Sequence, residues 1–231
     1  MTERSPSSVL LQTDALVIAD KAHGIPTVPL KSQGPEGTLL GYISSVCPDV
    51  LSVRGRNAWE YGAVHRLDTA TGGLVVFART QEMYDHLQAV QAEGLFRKTY
   101  LAVTSRGDRL KGMEPDLGKS SFTISSYFRS YGPGAKEVRP VTDASRADSS
   151  VLYSTEVEPV SESNVLCTFR CTITRGFRHQ IRAHLAWMGY PIVGDVLYGD
   201  SASGSSDSLM QLDCVAVSFP MPDGSGFSFC K

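Results

Sequence analysis

Apolar and polar positions recur along the chain in patterns that predict several β-strands. Short apolar runs at 16–19 and 74–78 contain β-branched residues, which is typical of strands buried on both faces. From 165 to 174 apolar and polar residues alternate, which predicts a half-buried strand. Two further strands are expected at 100–104 and 214–219. One face of the 165–174 strand would carry Val165, Cys167, Phe169, Cys171 and Ile173.

A helical spacing follows the second apolar run. Thr80 can cap a helix that continues to about Glu93, and Gly94 can end it. The apolar side chains of this segment are three or four residues apart, so they would form one inward stripe. These side chains are Met83, Leu87 and Val90.

A second helix is predicted from about His179 to Met188, with Gly189 as its stop. Its core stripe would consist of Ile181, Leu185 and Met188. Arg178 and Arg182 are four residues apart, so we expect them to lie together along one flank of this stripe.

The remaining segments are polar or rich in glycine and proline. We expect strands and loops over 105–148, which contains an aromatic cluster, and a mobile surface loop over 200–208. We interpret 1–231 as one domain with a flexible N-terminus at 1–13, since 42% hydrophobic residues can form a substantial core. The aromatic cluster consists of Phe122, Tyr127, Phe128 and Tyr131.

Composition bears on the cellular location. No apolar run approaches the roughly 20 residues that cross a bilayer, and the first six residues lack the apolar stretch of a signal peptide. The five cysteines are an odd number without a C-x-x-C pair, which argues against a disulfide framework and a zinc site. Cys167 and Cys171 are interpreted as small core residues. We therefore expect a protein of the cytoplasm, or of an organelle with a similar redox state, that contacts no membrane.

Charge is unevenly distributed although the net charge is only −2. The window 163–194 contains no Asp or Glu, yet it contains Arg170, Arg175, Arg178 and Arg182. A local cationic surface would suit RNA binding by a mildly acidic protein. The alternative is that these arginines pair with carboxylates from elsewhere in the fold.

Two clusters contain residue types that can do chemistry. His65-Arg66-Leu67-Asp68 precedes the small residues of Thr71-Gly72-Gly73 at the start of a predicted buried strand. Taken alone, it is also consistent with a solvated loop ion pair. The second cluster contains His179 and His184, but this spacing without a nearby Cys or carboxylate is a weak metal pattern, so no metal is expected.

Taken together, these clusters resemble the RluA family of pseudouridine synthases. The resemblance depends on the order and spacing of several motifs and covers about residues 14–229. The motifs are His65-Arg66-Leu67-Asp68, Thr71-Gly72-Gly73-Leu74, Lys98-Thr99-Tyr100-Leu101-Ala102, His179-Gln180-Ile181-Arg182-Ala183-His184-Leu185, Gly189-Tyr190-Pro191-Ile192-Val193-Gly194-Asp195 and Tyr198-Gly199.

The resemblance implies a mixed α/β (α+β) fold around a mainly antiparallel central sheet with flanking helices, and an active site in a cleft across it. It implies that Asp68 is the catalytic carboxylate, that Tyr100 stacks under the target base, and that Arg182 holds the Asp68 carboxylate. Arg66 matches the arginine that helps to expel the target nucleotide. The implied substrate-binding residues are His65, Arg66, Leu67, Thr71, Lys98, Arg178, His179, Gln180 and Leu212.

The implied activity is isomerisation of selected uridines in structured ribosomal or transfer RNA, by a monomer without a cofactor. Asp68 would attack the substrate or stabilise positive charge at the sugar, and either role needs its ionised form. A bidentate arginine such as Arg182 favours that form and fixes its direction. The flat face of Tyr100 would hold the base and still let it rotate in its plane.

The sequence departs from the family pattern in three places. The usual Gly-Arg-Thr-His-Gln appears as Gly176-Phe177-Arg178-His179-Gln180, and Lys-Pro-x-Gly-Leu appears as Lys21-Ala22-His23-Gly24-Ile25. Leu-His-Ala appears as Leu212-Asp213-Cys214. We expect no separate small basic RNA-binding domain of the S4 type before residue 14. We therefore expect the catalytic domain itself, aided by 105–148, to select the target.

Two other functions fit parts of the pattern. A lapsed relative would bind or remodel RNA without modifying it, but such a protein is expected to lose the carboxylate or its arginine, and Asp68 and Arg182 are both present. An enzyme acting on a small glycoside or nucleoside would usually need two carboxyl groups. No second acid is suggested near Asp68 by the motifs.

Overall fold

The computed structural model describes residues 6–31, 33–107, 110–115, 118–163, 165–199 and 209–231. The chain divides into a first compact unit, Met1–Lys98 with Asp213–Lys231, and a second, Thr99–Leu212. Within the described ranges there are three α-helices, α1 (Leu39–Val46), α2 (Gln81–Ala92) and α3 (Gln180–Trp187). The ten strands are β1 (Ser8–Gln12), β2 (Leu16–Lys21), β3 (Gly72–Ala78), β4 (Arg97–Ser105), β5 (Phe122–Tyr131), β6 (Glu137–Val141), β7 (Tyr153–Glu162), β8 (Leu166–Ile173), β9 (Leu212–Pro220) and β10 (Gly226–Cys230).

Strands β2 and β3 form the centre of the first unit. They pair antiparallel, with Leu16 opposite Ala78 and Lys21 opposite Gly73. Every residue of β3 is buried, and β2 is buried except for the partly buried Asp20. β1 pairs antiparallel with β2, the start of β9 runs parallel to the start of β3, and β10 pairs antiparallel with β9. The predicted buried strands at 16–19 and 74–78 are confirmed.

Helix α2 begins and ends as its sequence predicts. The Thr80 hydroxyl accepts a hydrogen bond from the Met83 amide at 3.2 Å, which satisfies one of the free amides of the first turn. Gly94 has a φ of 74°, the left-handed conformation that ends many helices. The predicted inward stripe is buried and consists of Met83, Leu87 and Val90.

Three elements of the first unit were not predicted. The segment 1–13 was expected to be flexible, but Ser8–Gln12 is strand β1, so that prediction was wrong for these residues because β1 hydrogen-bonds to the edge of β2. Helix α1 begins after Thr38, whose hydroxyl accepts from the Gly41 amide. The third element is β10.

The second unit contains strands in the order β4-β8-β7-β5-β6. The β5–β6, β5–β7 and β7–β8 pairs are antiparallel. The predicted alternation in β8 is confirmed from Cys167 to Ile173, whose apolar face is buried. Val165 differs, because it lies in the turn before β8 and is 71% exposed.

Helix α3 is buried all round rather than along one stripe, because every residue from Gln180 to Ala186 is buried. It starts at Gln180 since His179 adopts a left-handed φ of 55°, and it is followed by Gly189, with a φ of 83°. Arg178 therefore lies outside the helix, and the prediction that it shares a helical flank with Arg182 was wrong. Its guanidinium instead donates to the backbone carbonyls of Ala135 and Glu137.

The segment 105–148 contains β5, β6 and loops, as predicted. Phe128 of β5 is buried and stacks on Phe177, with ring centroids 4.8 Å apart. Phe177 is the aromatic residue that departs from the family pattern, so this departure adds to the core of the second unit. The loop predicted at 200–208 lies outside the described residues.

Both units combine helices with mainly antiparallel strands, which confirms the predicted α+β class. α2 packs against β3, and α3 packs against β6 and β7. Among the helices described, none is both long and apolar enough to cross a membrane. The single-domain assignment stays a prediction.

His184 links α3 to two strands of the second unit. Its Nε2 lies 2.9 Å from the Ser126 hydroxyl, and its Nδ1 lies 2.8 Å from the Thr155 hydroxyl. Burial lowers the pKa of His184 from 6.5 to about 3, because the charged imidazolium would lose its hydration.

We expect His184 to make the chain less stable in mild acid. Its pKa is lower in the folded than in the unfolded state, so its contribution is complete above pH 6.5 and is lost as the pH falls toward 3. Between pH 6.5 and 5 the loss is about 2 kcal/mol. Urea unfolding at both pH values should show this difference, and it should shrink in His184→Gln but not in His86→Gln. If the difference in the free energy of unfolding between pH 6.5 and 5 were unchanged in His184→Gln, titration of His184 would not be its cause.

Candidate active site

The predicted site residues divide equally between the two units. His65, Arg66, Leu67, Asp68, Thr71 and Lys98 belong to the first unit, and the second unit contains Tyr100, Arg178, His179, Gln180, Arg182 and Leu212. Within each unit, the structure brings several of these residues close to one another. The predicted pairing of Asp68 with Arg182 and Tyr100 stays a prediction.

Asp68 lies in a turn that leads directly into β3. The turn is closed by the Thr71 amide, which donates to the Asp68 carbonyl at 3.0 Å. Asp68 is half-buried and Thr71 is buried. The chain can leave this turn into β3 because Gly72 and Gly73 follow it. Gly73 has a φ of 106°, a conformation that residues with a side chain rarely adopt. A Cβ on Gly73 would also lie 2.2 Å from the Cys214 carbonyl oxygen.

The carbonyls of this turn are held by the last residue of β2 and the segment that follows it. The Thr69 carbonyl accepts from the Gly24 amide at 2.8 Å and from Lys21 Nζ at 3.2 Å. The Ala70 carbonyl lies 2.7 Å from His23 Nδ1. The two carbonyls between Asp68 and Thr71 are therefore fixed by side-chain or backbone donors of Lys21–Gly24, which fixes the backbone that carries Asp68.

Lys21 is a candidate site residue that sequence reasoning missed. It is 1% exposed, and its ammonium donates to the carbonyls of Ala22, Ile25 and Thr69. Burial lowers its pKa to about 8, although the negative charges of Asp68 and Asp213 oppose this shift. Lys21 therefore supplies a buried positive charge near Asp68. The signal in the sequence was the Lys21–Ile25 motif, which departs from the family pattern by lacking a proline.

Replacing Lys21 tests this arrangement. Lys21→Met should destabilise the chain by about 2 kcal/mol, because buried carbonyls lose a charged donor. Lys231→Met is the matched control, because Lys231 is partly exposed and pairs with Asp20 at 2.8 Å. This substitution should lower the free energy of unfolding by less than about 1 kcal/mol. Urea unfolding measures both values. Equal, small losses in the two variants would contradict a structural role for the Lys21 ammonium.

The residues before Asp68 alternate between interior and surface. His65 is buried, and its Nε2 accepts from the Val76 amide at 3.3 Å. Leu67 is fixed from both sides by the Thr27 hydroxyl, which donates to its carbonyl at 2.9 Å and accepts from its amide at 3.0 Å. Arg66 points outward and pairs with Glu60 at 3.0 Å. Arg66 is the member of the motif whose side chain is most accessible to a ligand.

His65 and Lys98 flank the same aromatic ring. The His65 ring meets Phe96 edge-on at 5.5 Å, and Lys98 Nζ lies 5.8 Å from the Phe96 centroid. Burial lowers the pKa of His65 well below its ordinary value, with a further contribution from the Lys98 charge. Burial also lowers the pKa of Lys98. His65 is therefore neutral at pH 7, and it forms part of the interior.

Arg182 of α3 makes a buried ion pair within the second unit. Its Nε and Nη2 donate to the two carboxylate oxygens of Asp195 at 2.7 and 2.8 Å. Both side chains are almost fully buried. The Asp195 carboxylate also accepts from the amides of Leu197 and Tyr198. This bidentate geometry fixes the plane of the guanidinium.

Other predicted residues of the second unit also support α3. Gln180 is buried, and its amide group accepts from Phe177 and donates to Ser154 and Thr155. His179 Nδ1 lies 3.1 Å from the hydroxyl of the buried Tyr198. Both contacts hold the start of the helix that carries Arg182.

Tyr100 and Leu212 are also mainly interior residues. Tyr100 lies on the buried face of β4 and is 6% exposed, and Leu212 is 3% exposed. The β4 strand is joined to β8 by Thr104, whose hydroxyl donates to the Cys167 carbonyl at 2.9 Å. This hydrogen bond ties the strand that carries Tyr100 to its neighbour β8.

The four arginines of the acid-free window have different environments. Arg170 pairs with Glu158 at 2.8 Å, and Arg182 pairs with Asp195. These two arginines therefore pair with carboxylates from outside the window, which is the alternative to a cationic surface. Arg175 and Arg178 are exposed. In the part of the chain that the structure describes, no group of three or more His, Cys, Asp or Glu residues could hold a metal ion.

Comparison with known proteins identifies the family. The family model described as RNA pseudouridylate synthase matches residues 15–187. Ribosomal large subunit pseudouridine synthase D of Xanthomonas campestris is 30% identical over 209 residues, which are 89% of this chain and 56% of that protein. The protein of the same name from Zymomonas mobilis is 24% identical over 208 residues, 90% of this chain and 60% of its own. The chain thus spans about 60% of the length of the curated relatives that it matches.

Solved structures show that the fold is shared. Human RNA Pseudouridylate Synthase Domain Containing 1 matches with a TM-score of 0.72 at 17% identity, over 98% of this chain and 83% of that chain. Human RNA Pseudouridylate Synthase Domain Containing 4 matches with a TM-score of 0.68 at 17% identity, over 97% of this chain and 87% of that chain. The resemblance seen in the motifs is confirmed, and the chain belongs to the RNA pseudouridylate synthase family.

Proposed function

We propose that this chain is an RNA pseudouridine synthase that isomerises selected uridines of structured ribosomal or transfer RNA. Family membership supports this activity. The observation that carries the proposal is the environment of Asp68, whose turn is fixed by Lys21 and His23. A half-buried carboxylate on a rigid support is suited to act on a ligand without first reorganising.

The reaction needs no oxidant, reductant or group donor. The bond from the sugar carbon to N1 of uracil breaks, the base rotates in its plane, and a bond forms between the same carbon and C5. The hydrogen on C5 leaves as a proton, and N1 gains one, so atoms and electrons balance. We therefore propose that neither a cofactor nor a metal takes part.

Asp68 would act as nucleophile or as stabiliser of positive charge at the sugar. Both roles require a negative carboxylate. Lys21, with a pKa of about 8, is mostly charged at pH 7 and attracts that negative form. The ammonium is held by three carbonyls, which keeps it in place without bringing it into the reaction.

Tyr100 and Arg182 would complete the site, as the resemblance implies. We propose that the ring of Tyr100 supports the extruded base and that Arg182 orients the Asp68 carboxylate. Two of the three guanidinium nitrogens of Arg182 donate to Asp195, which fixes the group before RNA binds. Such preorganisation lowers the cost of reaching the transition state.

RNA contact would come from the exposed cationic residues. Arg66, Arg175 and Arg178 are exposed and can reach phosphates. Extruding a base from a stack costs a few kcal/mol and costs least in loops and bulges, so we propose a loop uridine as the target. The buried residues of the predicted set would position the site from within; these are His65, Leu67, Thr71, Lys98, Gln180 and Leu212.

We also propose that the chain acts as a monomer in the cytoplasm. Five free cysteines, four of them buried, suit a reducing compartment. Size-exclusion chromatography with light scattering tests the monomer, and a fluorescent fusion tests the location.

Mapping pseudouridines in total RNA tests the proposed activity. Cells with and without this gene are compared by pseudouridine-specific chemical labelling and sequencing. We expect one or a few positions to lose the modification without the gene and to regain it when the gene is restored. Identical maps would refute the activity, and retained RNA binding in that case would favour the lapsed relative.

A further inference from the structure

Two of the motifs that depart from the family pattern are in contact with each other in the first unit. His23 occupies the variable position of the motif at 21–25, and Asp213 replaces the histidine of Leu-His-Ala. His23 Nε2 lies 3.2 and 3.3 Å from the two carboxylate oxygens of Asp213. Its Nδ1 lies 2.7 Å from the Ala70 carbonyl oxygen. The imidazole thus joins β9 to the turn that follows Asp68.

Both partners of this ring are hydrogen-bond acceptors. A carbonyl and a carboxylate cannot donate, and a neutral imidazole has one N–H. A neutral His23 would have to give up one contact and turn a lone pair toward an acceptor. The imidazolium has two N–H groups and can donate to both. The observed geometry therefore belongs to the charged ring.

The ring lies against the backbone of the turn, where there is no room for a side chain. A Cβ on Gly72 would be 2.3 Å from His23 Nε2 and 2.5 Å from Asp213 Oδ1. Gly72 is also the residue of β3 that pairs with Asp213. The glycine lets the His23–Asp213 pair lie directly beside the Asp68–Thr71 turn.

The other charged groups around the ring do not replace it. Lys21 of β2 lowers the pKa of His23 but donates to different carbonyls. Lys231 lies 3.7 Å from Asp213 and donates to Asp20 at 2.8 Å. Among the described contacts of Ala70, His23 is the one side-chain partner of its carbonyl.

We propose that His23 and Asp213 form a clamp that holds the Asp68 turn in its active conformation only while His23 is protonated. Both are positioning residues of the reaction, because they act through the backbone of the turn. This inference rests on the proposed function. It predicts that turnover, rather than RNA affinity, depends on the charge of His23.

The pH range of the clamp follows from its two groups. The hydrogen bond with Asp213 raises the pKa of His23 above 6.5. Burial raises the pKa of Asp213, but the hydrogen bond and charge of His23, together with Lys231, outweigh it and lower the pKa below 3.8. The contribution of His23 is complete below pH 6.5 and is lost as the pH rises through its raised pKa. The clamp is therefore closed below pH 6.5 and opens as the pH rises through the raised pKa of His23.

Single-turnover rates at saturating RNA, measured from pH 5.5 to 9, test the clamp. The readout is the rate of the unsubstituted chain divided by the rate of His23→Gln. Lys21 is present in both proteins, so the effect of its titration on the rate divides out of this ratio. We expect a ratio of about ten at pH 6 that falls toward one at pH 9. Asp213→Asn should give a ratio that rises as the pH increases from 5.5, because His23 loses the partner that raises its pKa and the clamp of the variant opens at lower pH. This ratio should also fall toward one at pH 9, where the clamp of the unsubstituted chain is open as well. RNA affinity should stay within about twofold throughout.

His86→Gln is the matched control. His86 Nε2 lies 2.9 Å from the Pro220 carbonyl in the same unit, so this variant removes a similar contact without touching the turn. Its ratio should stay near one at every pH. Ratios for His23→Gln that stay constant across pH, or that match those of His86→Gln, would overturn the proposal.

NMR separates failure of the clamp from failure of the proposed activity. The His23 ring signals and the amide signals of Ala70 and Thr71 are followed from pH 5 to 9 in the intact chain. We expect all of them to titrate together and to shift to lower pH in Asp213→Asn. If the turn amides do not follow His23, the clamp is refuted whether or not pseudouridine forms.

Discussion

Asp68→Asn should reduce pseudouridine formation by at least about a thousandfold, because an amide can neither attack the sugar nor balance its positive charge. RNA affinity should stay within a few fold, since the proposed phosphate contacts come from exposed arginines such as Arg66 and Arg178. Single-turnover conversion of a target RNA and a filter-binding titration measure the two quantities.

The matched control for this substitution is Asp85→Asn. Asp85 is exposed on α2, where it accepts a hydrogen bond from Gln81. The Asp85→Asn variant should retain the full rate of pseudouridine formation. If Asp68→Asn turned over as fast as Asp85→Asn, Asp68 would have no catalytic role.

Arg182→Lys should be the most damaging of the conservative substitutions. Lysine can replace one of the two hydrogen bonds to Asp195, and it leaves the other carboxylate oxygen with weaker support in a buried site. We expect a loss of about 3 kcal/mol in the free energy of unfolding. Turnover should fall at least about a hundredfold, because the proposed orienting group is displaced.

Arg170→Lys provides the comparison for this second prediction. Arg170 contacts Glu158 through one nitrogen at the surface, so lysine can replace it, and the cost should stay below about 1 kcal/mol. Urea unfolding and single-turnover rates are measured for both variants. Similar losses for both would show that the planar contact of Arg182 has no special importance.

The sequence predicted the elements whose local signals agree with their packing. β3 is a continuous apolar run, and α2 has a capping threonine, an apolar stripe and a terminal glycine. α1 was missed because its sequence contains Gly41 and the β-branched Ile43, which favour helices weakly. Gly41 is there because a Cβ would lie 2.2 Å from the Pro35 carbonyl, and this tertiary requirement is invisible in the pattern.

The candidate site shows the same division. Motif spacing identified Asp68, Tyr100 and Arg182, but Lys21 was missed because a lysine at the end of a strand usually lies in solvent. Its burial depends on the Thr69 carbonyl, 48 residues away in the chain. The partnership of Arg182 with Asp195 was also missed, since spacing alone does not show which carboxylate an arginine meets.

We propose that the side chains of this chain alone convert uridine to pseudouridine. The most direct measurement incubates the purified chain with RNA from cells lacking the gene, in the presence of a metal chelator, and maps pseudouridine by mass spectrometry. We expect pseudouridine at the positions that lose it in those cells, approaching one per RNA molecule at each position, with no added cofactor. Absence of product, or product that appears only after a metal or cofactor is added, would contradict it.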